Sequence, residues 1–184
     1  FFKQKTAYEI YQCDWSSDVC SSDLDRRHPR QSPPLCRRRK RGAFSQAIGR
    51  SRGGRTTKIH GLVDDRGKPR VLLLSAGNIN DISMAEALIQ AAGPFRRLLA
   101  DKGYDANHLR RRLAERGAEA VIPSTTSRRD PIPYDTIAYR ERNRVERMWC
   151  RLKDFRRVAT RYDKLAANYL SGVLIAAACA YWLN

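Results

Sequence analysis

Paired cysteines are missing from this 184-residue chain. Its five cysteines, at 13, 20, 36, 150 and 179, are odd in number and never fall at C-x-x-C spacing. That leaves no zinc ribbon and no disulfide scaffold to read, and it fits a reducing, cytoplasmic setting. A phosphate loop of the form G-x-x-x-x-G-K-[ST] is missing too. The glycines at 53 and 54 lie instead within GRSRGGRTTK, among Arg50, Arg52, Arg55 and Lys58, where backbone and cations can approach phosphates without a nucleotide site. Long apolar runs are scarce. One stretch, Leu165 to Leu183, is free of charge and long enough to suggest a membrane span, but its small residues, Ala166, Ala167, Ser171, Gly172, Ala176 to Ala178 and Ala180, suit a final helix buried in a soluble core. Neither a second span nor a signal peptide is read, so a membrane-associated basic protein is the weaker alternative. Acids are in short supply: 19 against 36 lysines and arginines, for a net charge of +17 and a pI near 10.3. Such a balance points to a polyanionic partner, nucleic acid first. Length and 42% apolar content suffice for one domain with a real core.

What is present is organised around Tyr139 to Lys153, YRERNRVERMWCRLK. At about 100° per residue, Tyr139, Arg142, Glu146 and Lys153 follow one another at helical steps and share a face. Val145, Met148, Leu152 and Phe155 form a second stripe, apolar, that would seat the helix on a core. A lone carboxylate, Glu146, then stands on the rim of a groove between Arg142 and Lys153. An ion-paired, solvated helix face is the plainer reading, but Arg142 precedes Glu146 in the less stabilising order, and cations outnumber acids from Arg140 to Arg157.

Residues 1–24 carry four acids against two lysines, show no sustained apolar period, and resemble the conceptual translation of a sequencing-library adapter. They are expected to be an artefactual leader. Residues 25–48 hold Pro29, Pro33, Pro34 and the basic run Arg37 to Arg41, with no strand pattern. A nucleic-acid-binding arm, a solvated disordered tail and a stretch read in the wrong frame across a damaged join are open there, the last ranked first. From residue 49 onward a domain is read. Thr57 to Val63 and Arg70 to Ser75 form a hairpin about a turn at Asp64 to Gly67. A helix starts near Asn80 or Asp81, with Ser83 and Glu86 at capping-box spacing, and ends at Gly93-Pro94. Arg97 to Asp101 is a buried strand broken by Gly103. Asp105 is placed to cap a helix whose Leu109 and Leu113 face inward and whose stop is Gly117. Glu119 to Ile122 is a short strand closed by Pro123. The proline-bearing loop from Ser124 to Thr136, a hinge or a substrate-facing segment, then leads to the organising helix. His60, alone within a strand, is read as structural.

Asp101 ends an apolar strand just before Lys102-Gly103-Tyr104, which leaves its carboxylate at the sheet edge. The spacing Tyr139, Arg142, Glu146, Lys153, together with DKGY from Asp101 to Tyr104, resembles the signature of insertion-sequence transposases of the IS4 and IS5 type, whose catalytic residues are two Asp and one Glu. The resemblance covers roughly Ala47 to Asn184. It implies an α/β, RNase H-like mixed sheet flanked by helices, here lacking its first strand, and DNA cleavage and strand transfer at insertion-sequence ends. Asp101 and Glu146 would be catalytic and would bind Mg²⁺ (or Mn²⁺), a cation that wants hard oxygen ligands. Tyr139, Arg142 and Lys153 would contact DNA near the cleavage site. Arg50, Arg52, Arg55, Arg156 and Arg157 would extend that contact, with Arg161 and Lys164 on the same basic surface. The first catalytic Asp is unassigned, since neither Asp25 nor Asp64 suits it. The implied partners are double-stranded DNA, meaning the element's terminal inverted repeats and the target, and a second copy of the chain. The chain is expected to be a truncated, inactive form, the alternative being a non-catalytic DNA-binding remnant of the same fold.

Overall fold

The computed structural model describes residues 7–14, 46–51 and 54–183. Six strands, β1 (Ala7–Asp14), β2 (Gly49–Ser51), β3 (Gly54–Val63), β4 (Pro69–Ala76), β5 (Arg97–Ala100) and β6 (Glu119–Val121), form one mixed sheet in the order β2-β3-β1-β5-β6, with β4 also paired to β3. β3 is antiparallel to β1, β2 and β4, whereas β5 is parallel to both β1 and β6. The helices are α1 (Ile82–Ala92), α2 (Asn107–Glu115), α3 (Thr136–Tyr139), α4 (Asn143–Lys153), α5 (Arg156–Ala159) and α6 (Ala166–Trp182).

Period-two alternation sends the two faces of the sheet to different cores. Leu62, Leu98 and Ala100 pack with Leu88 and Ile89 of α1 and with Leu109 and Leu113 of α2. Ile59, Val63 and Leu72 pack on the other face with Val145, Met148, Trp149 and Leu152 of α4, Val158 of α5, and Tyr169 and Val173 of α6. Leu99 and Val121 face Ala138, with Tyr134 and Tyr139 beside them. The result is a sheet covered by helices on both sides.

One glycine decides how closely α4 can approach. A Cβ at Gly61 would lie 2.7 Å from Cζ2 of Trp149 and 3.2 Å from the Met148 methyl carbon. Gly61→Ala is therefore expected to cost about 1–3 kcal/mol of stability through overpacking, read as a lowered urea midpoint. An unchanged midpoint would mean that α4 can lift from β3 without loss.

Several expectations are corrected by these coordinates. The sheet does not lack a first strand: Ala7–Asp14, within the segment read as a leader, lies between β3 and β5. Tyr8, Ile10 and Tyr11 are strand formers, and the strand is paired on both sides, antiparallel to β3 and parallel to β5. The remainder of residues 1–24, and residues 25–45, lie outside the described residues. The organising helix is not continuous, because a 3₁₀ turn at Arg140–Arg142 separates α3 from α4. Phe155 leaves the apolar stripe. It follows the end of α4 with an extended backbone and is 38% exposed, while Trp149 takes its place in the core at 2%. The capping box at Ser83 and Glu86 does not form. The N-cap is Asp81, without a side-chain cap bond, because Lys58 Nζ donates to its carboxylate at 2.9 Å. Asp105 does not cap α2 either, whose N-cap is Ala106. The final helix is only half buried: Tyr169, Val173, Ala176 and Ala177 face the core, whereas Leu174 and Ile175 are exposed. Among the described residues no helix is long and apolar enough to cross a membrane.

Candidate active site

β5 delivers Asp101. Leu99 faces α3, and alternation puts Asp101, two residues on and still extended, on that same face. Its Oδ1 accepts the amide of Lys102 at 2.6 Å and caps the 3₁₀ turn Lys102–Tyr104. Glu146 lies in the first turn of α4, where the positive end of the helix dipole favours a carboxylate. Arg142, at the end of the intervening 3₁₀ turn, donates to Glu146 Oε1 at 2.5 Å, and its guanidinium stands 5.8 Å from the Tyr139 ring centroid.

Electrostatics tie these groups together. Burial pushes the Tyr139 hydroxyl up; the Arg142 charge opposes this, and the Asp101, Tyr134 and Glu146 charges add to it. Burial acts to lower the Arg142 guanidinium, but Tyr139, Glu146 and Asp101 outweigh it and raise the group further. Asp101 and Glu146, 45 residues apart in sequence, thus both act on the same tyrosine and arginine. Tyr134 completes the cluster, its ring meeting that of Tyr139 edge-on at 5.5 Å. Sequence reading missed it, since nothing local marks a contact between two loop-and-helix tyrosines.

The other basic residues are distributed differently. Lys153 ends α4, about 10 Å along the axis from Glu146 by helical rise, and is exposed, as are Arg156 and Arg157 on α5. Arg50 and Arg55 are exposed and are direct cross-strand partners. Arg52 lies outside the described residues. Arg161 is not part of a free basic surface: its guanidinium donates to the carbonyls of Gln46, Ala47 and Asp163 and to Thr57 Oγ1. Asp64 is consumed by the β3–β4 turn, where its Oδ1 accepts the amides of Arg66 and Lys68. His60 is fully buried with Nε2 2.7 Å from Ser75 Oγ, as a structural residue would be.

A third acid, read from the sequence only as a helix cap, lies close to Asp101 along the chain. Asp105, just past the turn after Asp101, has a fully enclosed side chain. Its carboxylate accepts from Arg110 Nε at 2.8 Å, from Arg128 Nε and Nη2 at 2.9 Å each, and from the Thr125 amide at 2.8 Å. Burial alone would raise the carboxyl; the bonds from Arg128, Thr125 and Arg110 outweigh it and hold the group well below the usual carboxylate range. No sequence spacing announces a partner 23 residues away.

Carboxylate oxygens from Asp101 and Glu146 suit a hard divalent cation, though among the described residues no three His, Cys, Asp or Glu come together as a metal site. The order β4-β3-β1-β5-β6, antiparallel through β3 and parallel from β1 to β6, with an acid at the end of β5 and another on a helix beside it, defines an RNase H-like nucleic-acid-processing domain. The family model for the transposase DDE domain matches residues 26–183. The chain belongs to that family, whose members are DNA-transposing enzymes. It is 33% identical over 130 residues to a putative transposase for insertion sequence element IS6501 from Brucella ovis, covering 70% of this chain and 99% of the relative. It is 31% identical over 121 residues to a putative transposase for insertion sequence element IS402 from Burkholderia cepacia, covering 60% of this chain and 55% of that protein. Among solved structures, a piggyBac transposase synaptic complex with hairpin DNA aligns with a TM-score of 0.39 and 14% identity, over 69% of this chain and 24% of that one.

Proposed function

We propose that this chain engages the ends of an insertion sequence through the groove between the end of β5 and α3–α4, with Asp101 and Glu146 as its metal-facing carboxylates. The observation that carries the reading is the cluster at the start of α4, where Arg142 donates to Glu146 at 2.5 Å beside the Tyr139 ring, together with Asp101 just past Leu99, which packs against α3. Mg²⁺ or Mn²⁺, held by Asp101 and Glu146, would supply charge stabilisation for a phosphodiester in displacement. The chain's own residues do the rest. Tyr139 offers a face on which an unpaired base can stack, Arg142 pairs with a phosphate once it turns from Glu146, and Lys153, Arg156 and Arg157 track the backbone beyond. Arg50 and Arg55 provide a further phosphate contact, supported by their forced proximity across β2 and β3. A second copy of the chain and target DNA complete the assembly proposed for strand transfer.

Binding to duplex DNA should be strongly salt-dependent, motivated by the net charge of +17. Each phosphate contact is expected to contribute about −0.9 to the slope of log K against log salt, measured by fluorescence anisotropy across a salt series. A slope near zero would remove the DNA reading.

A further inference from the structure

We propose that Asp105 is a positioning residue, joining the turn that follows Asp101 to the loop that leads to Tyr139, Arg142 and Glu146 and so fixing the spacing of the two sides of the groove. The inference rests on the site reading above.

The acids of the site come from segments that are distant in sequence, and something must hold those segments in register. Asp105 touches both. Its own amide donates to Lys102 O, closing the turn that Asp101 caps. Its carboxylate accepts Thr125 and Arg128 from the far loop, and Arg110, which it also holds, donates through Nη2 to Ile122 O at the end of β6 at 2.7 Å. The loop is then closed on itself, Ile132 N donating to Ser124 Oγ at 2.9 Å. Beyond that point Tyr134 meets Tyr139, and the Asp135 carboxylate accepts the amides of Ile137 and Ala138 to start α3. A loop of this length with prolines at 123, 131 and 133 has no ladder to hold it. The bidentate Arg128–Asp105 pair supplies a fixed geometry instead. Asp105 cannot serve as a metal ligand or meet phosphate: its acceptor sites are filled and its side chain is enclosed.

The test compares Arg128→Gln with Arg129→Gln, an exposed neighbour whose loss removes the same charge, and adds Asp105→Asn. Hydrogen exchange is followed by mass spectrometry on peptides covering residues 134–142, with α6 as internal reference. Loosening of residues 134–142 by at least about tenfold is expected in Arg128→Gln and Asp105→Asn but not in Arg129→Gln, the factor that one lost charge-assisted hydrogen bond implies. Exchange in α6 should not change, which separates positioning from global destabilisation. Affinity for a short duplex of arbitrary sequence should fall in Asp105→Asn even though that variant loses a negative charge. Pure charge counting demands the opposite sign. Exchange changes confined to residues 105–128, equal behaviour of Arg128→Gln and Arg129→Gln, or tighter DNA binding by a folded Asp105→Asn would each overturn the proposal. Should Asp105→Asn not fold, the two arginine variants decide alone. A wild-type chain that binds no DNA would defeat the site reading while leaving the exchange comparison to judge Asp105.

Discussion

Incubated with Mg²⁺ or Mn²⁺ and supercoiled DNA carrying the element's ends, the chain is expected to nick no faster than its Glu146→Gln variant. The reason lies in the register of β1. The β1–β5 ladder ends with Ile10 opposite Ala100, so one step further along the parallel strands Tyr11 comes beside Asp101. The first aspartate of β1, Asp14, is three residues beyond, about 10 Å along the strand, and is the backbone partner of Lys58. Cations at roughly 2.1 Å from their oxygens cannot bridge that gap. In-line displacement needs both the attacking and the leaving oxygen stabilised, and losing one metal position removes several kcal/mol of transition-state stabilisation. Such a loss amounts to orders of magnitude in rate. Robust cleavage that Glu146→Gln abolishes would show that a third ligand reaches Asp101 and Glu146 after all.

Acidification should destabilise the fold through His60 before the buried carboxylate contributes. Burial, with the Lys58 charge adding to it, lowers the imidazole from 6.5 to about 4. Its Nε2 meets Ser75 Oγ, while Nδ1 finds no hydrogen-bond partner. A second proton would therefore put a charge and an unsatisfied N–H into the core. Because the folded-state value lies below the unfolded one, the neutral form is favoured by folding. Stability from this source is complete above pH 6.5 and is lost as the pH falls toward 4. The loss amounts to roughly 3 kcal/mol, more than a hundredfold in the folded-to-unfolded ratio. Asp105 is held so low that it titrates outside this window. Urea unfolding at a series of pH values, with His60→Asn as comparison, measures the slope. Equal slopes between pH 4 and 6.5 for both proteins would assign the effect elsewhere.

How far the sequence reaches can be argued residue by residue. The β3–β4 hairpin was legible from its apolar runs about the turn at Asp64 to Gly67, and the apolar pairs Leu88/Ile89 and Leu109/Leu113 were legible because helix burial writes itself into period. Gly117 was legible as a left-handed stop, at φ 66°. The places of Asp101, just past a strand end, and Glu146, in the first turn of a helix, were legible because both are local features. The break at Arg140–Arg142 was not, since a 3₁₀ turn there keeps the same composition as the helix beyond it. Trp149 escaped because its burial depends on a glycine in another element, Gly61. Asp81 and Asp105 both carry the look of helix caps, and tertiary partners, Lys58 for one and Arg128 with Arg110 for the other, claimed them instead. The first strand was missed because AYEIYQCD carries no sustained apolar period.

Arg161 has a bearing on the order of folding. Its guanidinium and the Ala166 amide hold Gln46 across separations of 115 and 120 residues. Closing a loop of that size costs entropy before any contact repays it, so the tether belongs to the late steps of assembly. On the ribosome, where chain emerges from its amino end, β2 can pair with β3 early, but the contacts of Arg161 and Ala166 to Gln46 cannot form until those two residues have cleared the exit. Until then Gln46 and Ala47 would rest on the short-range contacts of their own hairpin, Thr57 Oγ1 on Ala47 O among them, and a segment made more than a hundred residues later would add the long-range tether.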